Sequence, residues 1–264
     1  MAVTTAARPD FPIAELLPAL LQSLAAHPRL VLEAPPGAGK TMIASRIPTI
    51  LPELDLEQAL EVTAVHSISG GLGDRSPMSR LAPIISPHHT ASRVAIVGGG
   101  SHIIKPGACS LAHHGVLFID EAPECAVGVL DSLRQPLESG TITITRSVGN
   151  ITFPAHFLLV LAANPCPCGK FIGKGRACTC TSIQVRRYLG KLSGPLMDRI
   201  DMRVIVEPVG RVEMAQTELG ESSSVIRQRV IAARAAAAGG SAGGISSGSC
   251  GGCSGPQGQA ASQG

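Results

Sequence analysis

The sequence predicts an α/β fold in which a parallel sheet is flanked by helices and carries inserted β-hairpins, and three observations lead there. Leu30-Val31-Leu32, Val116 to Ile119 and Phe157 to Ala163 are short apolar runs without the alternation of a half-exposed strand, as expected for strands buried on both faces. Helical spacing falls between them, so consecutive strands run parallel through helical crossovers. The first run opens into Ala34-Pro35-Pro36-Gly37-Ala38-Gly39-Lys40-Thr41 and then an apolar segment at Met42, Ile43 and Ile47, the strand, glycine-rich loop and helix order of a phosphate-binding loop.

The elements follow in order. Ile13, Leu16, Leu17, Leu20, Leu21 and Leu24 recur at helical spacing, and His27-Pro28 ends that helix before the first strand. Residues 66–107 are rich in Gly, Ser, Pro and His and too long for a simple connector, which predicts an inserted hairpin. A helix is expected around Val127 to Leu137, closed by Gly140. Thr141–Thr145 and Asn150–Phe153 flank Ser147-Val148-Gly149 and read as a β-hairpin. After Arg234 the chain changes character: the last 30 residues hold no Asp, Glu, Lys or Arg and 10 glycines, too little apolar surface to offset ordering. Three segments are therefore expected: 1–28, a nucleotide-binding core at 29–234, and a disordered Gly/Ser-rich tail at 235–264, in which Cys250 and Cys253 are incidental thiols.

Composition narrows the function. Hydrophobic residues at 44% suffice for a core, whereas aromatics at 2%, with no Trp and one Tyr, leave no stacking platform for single-stranded nucleic acid. A formal charge of +3 does not by itself call for a polyanionic partner. No apolar run reaches membrane-spanning length and the N-terminus lacks the layout of a signal peptide, so the expectation is a cytoplasmic chain with no membrane partner.

Gly37, Ala38 and Gly39 would let backbone N–H groups converge on phosphates; Lys40 would supply a point charge to the β- and γ-phosphates, and the Thr41 hydroxyl a ligand to Mg²⁺. Ala34 stands where the loop pattern has its first glycine. Asp120, at the end of the second strand, is the expected Mg²⁺ partner and Glu121 the expected base; the bland alternative is a strand end that happens to be acidic. Asn164, ending the third strand, could orient the attacking water, or be only a turn former. Arg199 is a candidate arginine finger for a neighbouring subunit, against an ion pair with Asp198 or Asp201. Cys166, Cys168, Cys178 and Cys180 offer four thiolates to Zn²⁺ on one loop, against a group of reduced thiols. His88-His89 and His113-His114 read as turn caps or solvent-facing residues rather than ligands.

From Thr41 to about Arg234 the chain resembles the magnesium-chelatase-like AAA+ ATPases of the bacterial ComM/YifB type. The resemblance rests on Gly39 to Ala44, Pro87-His88-His89-Thr90, Val97-Gly98-Gly99-Gly100 and Gly115 to Glu121, and continues through Arg134-Gln135-Pro136-Leu137-Glu138, Asn164 to Gly169, Val185-Arg186-Arg187-Tyr188 and Ser193 to Asp201. It implies a P-loop NTPase fold and a ring, typically hexameric, with ATP between subunits. It also implies an insert at 66–107 and a hairpin at 141–153 facing the pore, Asn164 as sensor and Arg199 as trans-acting finger. Members of the ComM type are associated with DNA branch migration. Residues 8–40 are similar instead to the start of an HrpB-type DEAH helicase, but Asp120-Glu121 continues as Ala122-Pro123, not the Ala-His of such helicases. The family's N-terminal protease-like domain, its adenine-enclosing segment and its helical lid are not found, which leaves two expectations: an ATPase module, or a truncated or fused fragment that binds ATP without hydrolysing it.

Overall fold

The computed structural model describes residues 29–33, 40–70, 78–100, 103–146, 149–171, 177–205 and 221–240. The helix expected at 13–26, the loop glycines Gly37 and Gly39 with Ala38, and the tail beyond 240 lie outside them.

Strand β1 (Arg29–Glu33) leads towards helix α1 (Lys40–Arg46), and α2 (Leu56–Ser69) follows a short 3₁₀ turn. Asp55 starts α2 as half of a capping box with Gln58, and Gly70 ends it in the left-handed region. The next elements are β2 (Ile84–Ile85), α3 (Arg93–Val97), β3 (Gly98–Gly99), β4 (Lys105–Pro106) and α4 (Ala108–Leu111). Then come β5 (Val116–Ile119), α5 (Val127–Asp131), α6 (Arg134–Ser139), β6 (Thr141–Arg146), β7 (Gly149–Pro154) and β8 (Leu158–Ala163). Helices α7 (Ser182–Leu189) and α8 (Gly194–Met197), strand β9 (Met202–Ile205) and helix α9 (Ser223–Gly240) complete the described chain.

The expected parallel sheet is present, in the order β2-β5-β8-β1-β9 with every pairing parallel. Alternate residues of each strand face opposite layers. Leu30, Leu32, Val116, Phe118, Leu158 and Val160 pack with Ile43 and Ile47 on one side, where α9 adds Ile226 and Val230. Val31, Leu117, Ile119, Leu159 and Leu161 pack on the other side with Ile96, Cys109, Leu130, Leu133 and Leu137. Two buried faces explain why the strands are continuous apolar runs in sequence.

Two expectations need correction. The 66–107 stretch is not one inserted hairpin. Its first residues finish α2, Ile84 and Ile85 pair with Val116 and Leu117 at the sheet edge, and among its described residues only Gly98–Gly99 and Lys105–Pro106 form an antiparallel pair. The isoleucine pair gains burial against β5, whereas Gly98 and Gly99, at φ of +98° and +150°, cannot sustain a long ladder. The helix expected at 127–137 is broken into α5 and α6 around Ser132 and Leu133, and Gly140 closes it as anticipated, at φ +66°. A Cβ on Gly140 would lie 1.9 Å from the His156 ring. The hairpin expected at 141–153 is β6–β7, paired from Thr141↔Pro154 to Arg146↔Gly149, with turn residues 147–148 outside the described set. The composition change at residue 235 falls inside α9 rather than at its end.

Candidate active site

Strands β5, β8 and β1 are neighbours, so the residues following their carboxyl ends meet although they lie far apart in sequence. Lys40 follows β1, Asp120 and Glu121 follow β5, and Asn164 follows β8. The Lys40 ammonium donates to Asn164 Oδ1 at 2.8 Å, and the Thr41 hydroxyl donates to Asp120 Oδ2 at 2.7 Å. The other Asp120 oxygen accepts the Glu121 backbone N–H at 2.9 Å, which fixes the carboxylate plane. Lys40 is only 9% exposed. Burial lowers its pKa, an effect that the charges of Asp120 and Glu121 oppose.

Glu121 sits at φ +51°, left-handed backbone that a glutamate adopts at a cost of about 1–2 kcal/mol. The kink turns its side chain out of the strand direction before Pro123 enters the next 3₁₀ turn. Glu121 Oε2 lies 3.1 Å from His89 Nδ1, so a histidine expected to be only a cap or solvent-facing holds one oxygen of the candidate base. Its neighbour His88 is the turn cap: it bonds the Thr90 hydroxyl at 2.8 Å and accepts the Thr90 N–H at 3.3 Å. Strand β2 pairs with β5 and carries Pro87 to Thr90 towards Asp120 and Glu121, a placement that no local sequence pattern marks. Behind Asn164 stands Tyr188, whose hydroxyl is buried without a well-formed hydrogen bond. Its pKa is pushed up to about 12, first by burial and then by Glu124, while the Asn164 amide acts the other way.

Arg199 is not brought to this site. Its backbone carbonyl accepts from the Arg29 guanidinium at 3.2 Å, and the Asp201 N–H donates to Arg29 O at 3.1 Å, which places Arg199 at the amino end of β1. At about 3.3 Å of rise per residue, the strand alone separates it from the carboxyl-end groups by roughly 13 Å. Its ion-pair partner is Glu138, not Asp198 or Asp201.

The four cysteines converge beyond β8. Cys166 Sγ lies 3.3 Å from Cys168 Sγ and 3.6 Å from Cys178 Sγ, Cys168 and Cys178 are 3.6 Å apart, and the four sulfurs including Cys180 lie within 4.8 Å of one another. Tetrahedral Zn–S bonds of about 2.3 Å would set edges near 3.8 Å, so the donor set fits Zn²⁺. The Lys170 backbone N–H and the Cys166 thiol hold Cys168 down at about 6, whereas desolvation pushes Cys178 up to about 12.

A second cluster, Glu61 with His113 and His114, has different chemistry. His113 Nδ1 accepts the His156 N–H at 3.1 Å, so the neutral ring carries its proton on Nε2 and donates it to Glu61 Oε2 at 3.0 Å. That tautomer has no Nε2 lone pair for a metal. His113 is buried, against the expectation of a solvent-facing ring.

The model of the family magnesium chelatase, subunit ChlI, matches residues 17–214. The chain belongs to this magnesium chelatase ChlI family. It is 47% identical over 207 residues to YifB of Escherichia coli, covering 78% of this chain and 40% of that protein. It is 44% identical over 218 residues to the competence protein ComM of Haemophilus influenzae, covering 82% and 42%. An uncharacterised protein of Mycobacterium tuberculosis is 49% identical over 207 residues, covering 78% and 41%. The chain thus spans about two fifths of the length of these relatives. The structure of NtrX from Brucella abortus in complex with ATP is similar at 16% identity and a TM-score of 0.46, over 77% of this chain and 39% of that one. In this family member the acidic end of β5 lies beside Lys40 and Thr41. No helix among the described residues is long and apolar enough to cross a membrane.

Proposed function

We propose that this chain is an ATP-binding and ATP-hydrolysing module of the magnesium-chelatase-like AAA+ class, working as part of a ring of its own copies. The observation that carries the reading is the convergence of Lys40, Thr41, Asp120 and Asn164 through two hydrogen bonds across three neighbouring strand ends. Gly37, Ala38 and Gly39 offer backbone N–H groups to the phosphates, and Lys40 exchanges its Asn164 partner for phosphate oxygen. Thr41 and Asp120 present hard oxygens that would hold Mg²⁺, and the ion would supply charge neutralisation to the nucleotide's phosphates. Glu121, its far oxygen held by His89, accepts a proton from the water that attacks the γ-phosphorus as the β-oxygen leaves with ADP. Asn164, released from Lys40, orients that water. Arg199 stands at the opposite, amino end of the strands and can serve only a neighbour's nucleotide, which favours a closed ring over a lone subunit. Relatedness to the competence protein ComM favours DNA as the remodelled partner.

The four cysteine sulfurs would hold a structural Zn²⁺, which would tie Cys166 and Cys168 to Cys178 and Cys180. Glu121→Gln tests the reading. ATP binding should persist while phosphate release falls about 10²- to 10⁴-fold, the usual contribution of a positioned base. Measurable and equal turnover in the two proteins would overturn the assignment of Glu121. ATP binding by the wild type with no phosphate release above the protein-free background would instead identify a fragment that binds ATP without hydrolysing it.

A further inference from the structure

Arg199 is held by more than one partner. Its side chain pairs with the Glu138 carboxylate and also donates to the Pro195 carbonyl, and its Nε is buried without a partner. Only 24% of the side chain is exposed. The guanidinium is therefore gripped on its inner edges and open on a narrow outer one. Arg29 ties the same two segments through their backbones, donating to Leu137 O at 2.6 Å and to Arg199 O at 3.2 Å. Glu138 also lines a cleft of ≈ 480 Å³ whose wall includes Arg29 and Arg234, and among the described residues its ion-pair partner is Arg199.

Glu138 lies at the root of the β6–β7 hairpin. It occupies the last turn of α6, Ser139 Oγ donates across to Thr141 O, and Gly140 O accepts the Ala155 N–H where the hairpin returns. The left-handed Gly140, packed against His156, leaves this junction little room to bend. Displacement of the hairpin root would be transmitted to Glu138.

We propose that Glu138 is the positioning residue of Arg199, setting the finger's guanidinium from the root of the β6–β7 hairpin. The inference rests on the reading that Arg199 serves a neighbour's nucleotide. Glu138 touches no substrate; it fixes where the finger's free N–H groups point. In the ring, the state of a hairpin in one subunit then sets the finger geometry at the next subunit's site.

The test compares Glu138→Ala, Glu138→Gln and Arg199→Ala in the full chain, reading ATP affinity, kcat and KM. Loss of positioning in Glu138→Ala should cut kcat about 10- to 100-fold, as small misplacements of catalytic groups do. ATP affinity and KM should remain within about twofold, because the variant's own phosphate loop is untouched. Glu138→Gln keeps an acceptor oxygen and should restore much of the lost kcat. A direct readout accompanies the kinetics. The side-chain Nε–H resonance of Arg199, assigned by its loss in Arg199→Ala, should move towards that of a free arginine in Glu138→Ala. Unchanged or raised kcat in Glu138→Ala, with Arg199→Ala inactive, would overturn the role of Glu138 alone. Turnover indifferent to Arg199→Ala would overturn the finger reading and this inference with it.

Discussion

Replacing Lys40 by alanine tests the heart of the site. The ammonium is nearly buried, donates to Asn164 Oδ1 and faces Asp120 and Glu121, whose charges partly offset its desolvation. A phosphate entering the loop exchanges the neutral amide partner for a charged one. Hydrogen bonds to charged groups contribute about 1.5–3 kcal/mol net, which at about 1.4 kcal/mol per tenfold weakens ATP binding roughly 10- to 150-fold when the lysine is removed. The upper end is favoured, because Lys40→Ala also leaves two carboxylates facing the incoming phosphates without their shared cation. Titration calorimetry with Mg·ATP measures the change, and Asn164→Ala serves as the companion variant. Losing the amide removes one partner of the ammonium and should leave affinity unchanged or tighter, while turnover falls. If Lys40→Ala bound Mg·ATP within threefold of the parent, the lysine would not be the phosphate ligand and the site would have to be reassigned.

Two further outcomes are expected. Protein purified under reducing conditions without chelator should hold about one Zn²⁺ per chain, and Cys178→Ser should lose the metal and expose the 166–180 loop to protease; metal content near zero by elemental analysis would leave only reduced thiols. Stability should also fall on acidification in two stages. Burial holds His113 below its ordinary 6.5, so below that pH the unfolded chain takes up a proton that the folded chain resists. The hydrogen bonds from His114 and His113 hold Glu61 below its ordinary 4.5, so the stability they lend is present above that pH and lost as pH falls through the depressed value. Urea midpoints between pH 7 and pH 3 read both stages, and Glu61→Gln should flatten the second; an unaltered acid slope would show that the cluster is not titrating.

How much was legible in the sequence follows from how local each signal is. Strands β1, β5 and β8 are buried on both faces, so their burial is written into unbroken runs such as Val116 to Ile119. The acidic pair after β5 and the lysine that opens α1 were legible for a related reason: each is anchored to such a run, and parallel neighbours bring those ends together. The tertiary role of His89 was not legible, because it depends on β2, a two-residue edge strand whose Ile84 and Ile85 carry no periodicity. The break between α5 and α6 was hidden as well, since Leu130, Leu133 and Leu137 keep helical spacing across it and all three point into one core. Arg199 was recognisable as a candidate finger, but its partner Glu138 lies 61 residues away, and no local rule prefers it to Asp198 or Asp201.

On the proposed reading, the amino and carboxyl ends of the strands form two opposite edges that carry opposite halves of one chemistry. Lys40, Thr41, Asp120, Glu121 and Asn164 collect at the carboxyl ends of β1, β5 and β8, while Arg199, Arg29 and Glu138 collect at the amino end of β1. Parallel strands make this separation rigid, because moving Arg199 to its own chain's Glu121 would require stripping β9 from β1. An arginine finger in such a position would be of no catalytic use to a lone subunit. On the proposed reading, head-to-tail contact between copies brings one subunit's amino edge to the next one's carboxyl edge, and repetition of that contact closes a ring. Assembly then becomes a condition of turnover, since a missing arginine finger costs on the order of 10³–10⁵ in rate. The same geometry gives a mixed-ring test. Subunits bearing Arg199→Ala and subunits bearing Lys40→Ala, each inactive alone, should regain phosphate release when mixed, because one supplies an intact nucleotide site and the other an intact finger. Mixtures as inactive as their components would show that the two edges do not meet.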